Sequence, residues 1–163
     1  MENNNVTKLG EEFAELEKLL LEYNRIAADV MKIESDDVEI LTDKIQERSD
    51  LVEEMDKVKG LCTELIDSFE KEDAELIRSM LTGTNTNRRI DEKLLPLQNA
   101  IVSLRSAQMQ AAESDRALQA QFTSRVNEAK EQLMQLKNDK KKIDYYSSIN
   151  PSGSIGGSLD SSF

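Results

Sequence analysis

The stretch VTKLGEEFAELEKLLLEYNRIAADV, residues 6–30, carries the pattern that decides the fold. Its apolar residues recur at alternating spacings of three and four positions, which is the repeat of a helix packed against another helix. A second apolar row runs beside the first at intervals of seven residues, so we expect this helix to contact two neighbouring helices. The first row consists of Val6, Leu9, Phe13, Leu16, Leu20, Tyr23, Ala27 and Val30, and the second row of Leu19, Ile26 and Ile33.

The second predicted helix covers about residues 38–81, after a first helix at about residues 6–34. Ser35 is expected to cap its start, and the acidic residues that follow favour the positive end of a helix. One apolar row is predicted to pack against the first helix, and the charged residues Arg48 and Lys59 interrupt it. This row consists of Val38, Leu41, Ile45, Val52, Met55, Cys62, Ile66 and Phe69.

The stretch TGTNTN, residues 82–87, has the composition of a loop between helices. The last predicted helix covers about residues 90–146, with Pro96 in its first turns, where proline is tolerated. Its apolar row shifts by one position at Val126. The row consists of Ile90, Leu94, Leu97, Ile101, Leu104, Ala111, Leu118 and Phe122, with Gln108 and Asp115 at intervening positions, and then of Val126, Ala129, Leu133, Leu136 and Ile143.

These patterns predict an all-α fold over residues 1–146: an elongated antiparallel bundle of about three long helices with coiled-coil packing. Residues 147–163 are rich in Ser and Gly and predict a flexible C-terminal tail. At a rise of ~1.5 Å per residue, the last helix spans roughly 84 Å, against roughly 66 Å and 44 Å for the other two. We therefore expect residues 135–146 to extend past their neighbours with uncovered apolar side chains, which is typical of a partner site.

The charge is negative and unevenly distributed. The chain has a formal net charge of −11, and residues 1–72 carry 21 acidic and 9 basic side chains, a net of −12. No basic stretch is dense enough to bind a phosphate backbone, so we expect no nucleic-acid partner. One cysteine, no signal-peptide pattern and no long apolar run predict a cytoplasmic protein without membrane insertion.

The residue types that most enzymes need are missing. The chain has no His, which removes the commonest general base and the commonest transition-metal ligand. Cys62 falls in the apolar row of the second helix and is predicted to be a core residue. No Gly-rich phosphate loop or calcium loop occurs. We therefore expect a protein that is not an enzyme and that needs no metal or other cofactor.

Two stretches of the chain resemble flagellar export chaperones of the FlgN and FliT kind. The first is SDDVEILTDKIQERSDLVEEMDKV, residues 35–58, and it is similar to the second helix of that family, which has an Asp-rich start. The second is LMQLKNDKKKIDYYSS, residues 133–148, and it resembles the end of the family's long last helix. There a Leu-rich face passes into a Lys cluster, an apolar residue and Tyr. The closing Ser161-Ser162-Phe163 also fits many members.

The resemblance implies a cytoplasmic chaperone of flagellar type III export. Such proteins bind the C-terminal helices of hook-associated or filament-cap proteins, prevent their premature assembly and escort them to the export gate. It further implies that either Tyr145 or Tyr146 contacts the export apparatus, and that the last helix holds the cargo. By position, the cargo-binding residues are Leu118, Phe122, Val126, Leu133, Leu136 and Ile143.

A second class of function stays open: a structural coiled-coil scaffold or tethering subunit that oligomerises through the same apolar rows. The pattern leaves the oligomeric state open, a homodimer included, and it does not name the cargo. It also leaves open whether Pro96 breaks the last helix and whether the tail has a function.

Overall fold

The computed structural model describes residues 2–33, 37–84 and 89–149. These residues form four α-helices and one short 3₁₀ turn, and no strand occurs among them, so the predicted all-α class is confirmed. The predicted cap Ser35 and the part of the predicted tail after Ile149 lie outside the described residues. The helices are α1 (Glu2–Lys32), α2 (Val38–Asp67), α3 (Lys71–Thr82) and α4 (Leu95–Ile149), and the 3₁₀ turn at Glu92–Leu94 directly precedes α4.

The chain divides into two compact units, one of residues 1–118 and one of residues 119–163. Unit 1 contains α1, α2, α3 and the first part of α4, whereas unit 2 contains the rest of α4.

The core of unit 1 is built around α1. Every residue of its first apolar row is buried except Tyr23, which is half-buried, and Leu9 and Phe13 are only 0% and 1% exposed. In the second row, Leu19 and Ile26 are buried as well. Each large apolar side chain that is fully buried contributes about 1.5–3 kcal/mol to stability. On α4 the buried residues of unit 1 are Leu97, Ile101, Leu104, Ala107, Ala111 and Leu118.

Helices α1 and α2 are antiparallel. Asn5 Nδ2 donates a hydrogen bond to Ser68 Oγ at 3.2 Å, so the start of α1 lies beside the end of α2. Near the other end of α1, the guanidinium carbon of Arg48 lies 3.9 Å from the ring centre of Tyr23. These two contacts join early residues of one helix to late residues of the other.

Within unit 1, α4 runs in the same direction as α1. A Cβ atom at Gly10 would lie 3.8 Å from Leu97 Cδ2, close to the start of α4. Further along both helices, Asn24 Nδ2 donates to the carbonyl oxygen of Ala107 at 3.5 Å. Helix α1 therefore contacts both α2 and α4, as its two apolar rows predict.

The second predicted helix is two helices, so the described residues form four α-helices and the predicted count of about three is not confirmed. Helix α2 ends at Asp67, and Glu70 adopts an extended conformation with φ −59° and ψ 150° before α3 begins. If the spacing of three and four continued past Phe69, the next position of the apolar row would be Asp73. A continuous helix would therefore place a charged residue in its apolar row. Glu72 and Asp73 favour the positive end of a new helix, and they are the signal for the break in the sequence.

The packed face of α2 differs by one row from the predicted face. Met55, Cys62 and Ile66 are buried as predicted, but the predicted residues Val38, Ile45 and Val52 are 65%, 49% and 40% exposed. Lys59 follows Val52 by seven positions, so its charge indicates that this row faces water up to that point. The residues that pack against the core in place of that row are Leu51, Val58 and Leu65.

Proline does not interrupt the last helix, because α4 begins at Leu95, one residue before Pro96. In the first turn of a helix the missing N–H of proline has no acceptor to lose. The helix starts five residues later than predicted and continues to Ile149, three residues beyond the predicted end.

Gly83 ends α3 in the left-handed conformation, with φ 73°. Its N–H donates to the carbonyl oxygen of Met80, and the N–H of Thr84 donates to the carbonyl oxygen of Ser79. These two hydrogen bonds form a Schellman motif. A Cβ atom at position 83 would also overlap the guanidinium of Arg105 on α4. Glycine is therefore required here for its backbone conformation, whereas the Arg105 guanidinium lies at the end of a flexible side chain and can move aside.

We predict that Gly83→Ala lowers the free energy of unfolding by roughly 1–2 kcal/mol, the typical cost of a left-handed residue with a side chain. Gly60→Ala is the matched control, since Gly60 lies within α2 and a Cβ atom there meets nothing within 4 Å. It should raise the free energy of unfolding by roughly 1 kcal/mol because alanine favours the helix. Urea unfolding followed by circular dichroism measures both, and a Gly83→Ala variant as stable as the parent would contradict the account of this turn.

Candidate functional site

The second part of α4 carries an apolar row that no other described segment covers. Every described side chain from Val126 to Ser148 is exposed. The row keeps the spacing of three and four, so its residues lie along one face of the helix over roughly 26 Å. We call it the exposed row; it consists of Val126, Ala129, Leu133, Leu136 and Ile143, with Lys140 at an intervening position.

Four of the six predicted cargo-binding residues lie in the exposed row. Val126, Leu133, Leu136 and Ile143 are 52%, 57%, 63% and 46% exposed, so about half of each side chain is open to a partner. The other two predicted residues lie elsewhere. Leu118 is 4% exposed in unit 1 and is not accessible, and Phe122 is half-buried in unit 2.

The exposed part of α4 begins earlier than the expected residue 135, because α4 does not start beside Leu81. Lys93 Nζ lies 2.6 Å from Asp73 Oδ2, which places the start of α4 next to the start of α3. The expected start at residue 135 came from comparing the length of α4 with that of one straight helix over residues 38–81. Because α2 ends at Asp67 and α3 is a separate helix, that comparison does not apply.

The two tyrosines near the end of α4 are both exposed, at 64% for Tyr145 and 68% for Tyr146. Their rings meet edge to face, with centres 5.9 Å apart and an angle of 69° between planes. Tyr146 follows Ile143 by three positions and so lies beside the exposed row, whereas the spacing places Tyr145 on the opposite side of the helix. The pair therefore presents one ring at the edge of the row and one ring away from it.

Charges are unevenly placed around this part of α4. Residues 119–149 carry six basic and four acidic side chains, a net charge of +2, whereas residues 1–118 carry 15 basic and 27 acidic side chains, a net charge of −12. Lys130 and Lys137 each follow a residue of the exposed row by one position, so both lie along one edge of it. The helical spacing turns Glu128 and Glu131 away from the row.

Other exposed apolar residues occur in unit 1. On α4, Val102 and Met109 are 61% and 65% exposed and lie seven residues apart on the outer face of the helix. They share no row with the buried residues of α4. These two residues are of the same type and exposure as those of the exposed row, but they are not part of a row repeating at three and four.

A polar cluster joins three helices of unit 1. Tyr23 Oη donates to Asp115 Oδ1 at 2.8 Å, and Arg48 Nη2 donates to the same oxygen at 2.6 Å. The Arg48 guanidinium also stacks over the Tyr23 ring as a cation–π contact. Arg48 and Asp115 are residues that interrupt the predicted apolar rows of α2 and α4, and the structure shows that they interrupt them at the same level.

The chemistry of this cluster suits packing. Burial raises the pKa of the Tyr23 phenol above its ordinary value, and the hydrogen bond to Asp115 raises it further. A phenol that holds its proton so firmly is a poor base near neutral pH. Arg48 Nε is buried without a hydrogen-bond partner, while Nη2 of the same guanidinium binds Asp115. The cluster therefore acts as a register contact between the helices.

Cys62 is buried at 6% exposed, in agreement with its predicted place in the core. Burial raises the pKa of its thiol to about 11, and the negative charge of Glu12 adds to the shift. At neutral pH such a thiol carries very little thiolate, which is the reactive form. Cys62 is therefore a packing residue.

We predict that the stabilising effect of the Tyr23 hydroxyl disappears at alkaline pH. Folding raises the pKa of this phenol, so the folded protein holds the proton more tightly than the unfolded chain, whose tyrosine pKa is near 10.0. The contribution is complete below pH ~10 and is lost as the pH rises through the higher pKa of the folded state. The difference between the urea midpoints of the parent and of Tyr23→Phe should stay constant up to pH ~10 and shrink above it, and a difference that does not change with pH would contradict this.

Two general kinds of site are missing from the described part of the chain. Within residues 2–33, 37–84 and 89–149, no helix combines the length and the apolar character needed to cross a bilayer. The same residues contain no group of three His, Cys, Asp or Glu side chains placed to hold a metal ion. Comparison with protein-family models, with curated proteins and with solved structures finds nothing that matches this chain.

Proposed function

We propose that the chain is a cytoplasmic chaperone of flagellar type III export, and that the exposed row of α4 holds an amphipathic helix of its cargo. The cargo is the C-terminal helix of a hook-associated or filament-cap protein, which the chaperone keeps from assembling before export. The observation that carries the proposal is the run from Val126 to Ser148, in which every described side chain is exposed while the apolar residues keep a helix-packing repeat. A repeat of this kind is the surface that accepts another helix.

The energetics suit a partner that must be released. Half-burying the four large residues of the exposed row contributes on the order of 1 kcal/mol each. Association opposes this with several kcal/mol of lost translational and rotational freedom. The exposed row alone therefore supports weak and reversible binding, and a tighter complex needs additional contacts with the cargo. Coiled-coil packing between α4 and the cargo helix is the arrangement that the spacing favours.

The same proposal assigns Tyr145 and Tyr146 to the export apparatus. Both rings are exposed and lie at the end of the exposed row, where an amphipathic aromatic ring is a suitable anchor for a protein partner. Tyr145 lies on the side of the helix away from the row, so it stays open when a cargo helix occupies the row. We therefore assign the export contact to Tyr145 in preference to Tyr146.

The alternative is a structural scaffold or tethering subunit that oligomerises through the exposed row. The repeat of three and four favours this function as well, because a second copy of α4 also carries such a repeat. Sedimentation equilibrium distinguishes the two functions. A chaperone of the proposed kind sediments as a species whose mass changes when a cargo fragment is added, whereas a stable oligomer that ignores the fragment supports the scaffold.

We predict that Leu136→Ser combined with Ile143→Ser weakens binding to C-terminal fragments of hook-associated and filament-cap proteins from the same organism by roughly 30-fold, since each residue contributes on the order of 1 kcal/mol. Both side chains are exposed, so the variant should keep the thermal stability of unit 1. The matched control is Val102→Ser combined with Met109→Ser, which removes two equally exposed apolar residues from another part of α4. The control should bind the fragments as the parent does.

Isothermal titration of each fragment into each variant measures these effects. The absence of binding between the parent protein and every fragment would refute the chaperone. Equal losses in both double variants would show that the exposed row is not the site.

A further inference from the structure

We propose that the helix that binds the exposed row is acidic along one edge: an amphipathic helix that carries carboxylates beside its own apolar row, where it meets the basic edge of α4. This inference concerns the surface assigned above and rests on the proposed function. It starts from Lys130 and Lys137, which lie seven residues apart along one edge of the exposed row. Both are exposed, so their ammonium groups are placed to meet side chains on the edge of a bound helix.

Of the four acidic residues within residues 119–149, three lie off the lysine edge, and one of these, Asp139, lies along the opposite edge of the exposed row. Glu128 and Glu131 lie away from the exposed row, toward the other side of α4. Asp144 is the acidic residue on the lysine edge, and it comes seven residues after Lys137, beyond the centre of the row. The edge that a partner meets is therefore basic over its first two positions and acidic at its end.

A second copy of the same helix is a poor partner for this edge. In a parallel pair, the position of Asp139 faces that of Asp144 in the other copy, and two carboxylates meet. In the antiparallel register that pairs Leu133 with Leu136, the position of Lys130 faces that of Lys137, and two ammonium groups meet. Like charges at these positions disfavour a pairing, so the edge selects for a chain of complementary charge.

The charge of the rest of the protein limits where an acidic helix can bind. Residues 1–118 have a net charge of −12, whereas residues 119–149 have a net charge of +2. An acidic helix is repelled by the first group and attracted by the second. Because charges are screened over about 8–10 Å at physiological salt, the attraction acts close to the basic edge.

Two synthetic peptides test the inference on the full chain. Both carry the same four heptads of Leu at the packing positions; one has Glu and the other has Lys at all flanking positions. We expect the parent protein to bind the Glu peptide about tenfold more tightly than the Lys peptide, because two edge pairs change from attraction to repulsion. The variant Lys130→Glu with Lys137→Glu should reverse this preference.

The matched control is Lys141→Glu with Lys142→Glu, which makes the same charge change at positions turned away from the exposed row. It should keep the preference for the Glu peptide. Equal binding of both peptides by the parent, or an equal loss of preference in both variants, overturns the charge inference and leaves the helix-binding surface intact. Failure of the parent to bind either peptide overturns the inference together with the proposed function.

Discussion

The structure of unit 1 depends on the burial of the two apolar rows of α1. Leu9 and Phe13 are almost completely inaccessible, and α1 contacts both α2 and α4 through these rows. Helix α1 has 31 residues and α4 has 55. The last buried residue on α4 is Leu118, and the exposed row follows after it.

Apolar rows that repeat every seven residues do not by themselves set the register between helices, because a shift by one heptad pairs equivalent residues again. The contact of Arg48 and Tyr23 with Asp115 removes this ambiguity in unit 1. A shift would leave the largely buried guanidinium of Arg48 without its carboxylate, which is costly. The polar residues that interrupt the apolar rows thus determine which part of α4 pairs with α1 and α2.

The sequence predicts the helical class, the two rows of α1 and the row of α4 up to Leu118 correctly, since all three follow from strong apolar repeats. It does not predict the break between α2 and α3, because no Gly or Pro marks that position. The signal for a new helix there is a pair of acidic residues, Glu72 and Asp73. The predicted packing face of α2 is displaced by one row from the observed face, because Val38, Ile45 and Val52 are apolar although they face water. For the candidate site, the row of residues follows from the sequence, but its accessibility depends on the register between helices, which local patterns do not contain. Leu118 is therefore predicted as a contact residue and is found buried.

We propose that residues 119–149 of α4 form an open helical surface that a partner helix covers. Hydrogen–deuterium exchange of the full chain, with and without a bound C-terminal cargo fragment, tests it most directly. We expect amides of residues 119–149 to exchange faster than those of buried α1 in the free protein, and the fragment to slow exchange there while residues 1–118 change little. Two results would contradict this expectation. One is that binding protects only amides within residues 1–118; the other is that residues 119–149 are as protected as α1 in the free protein.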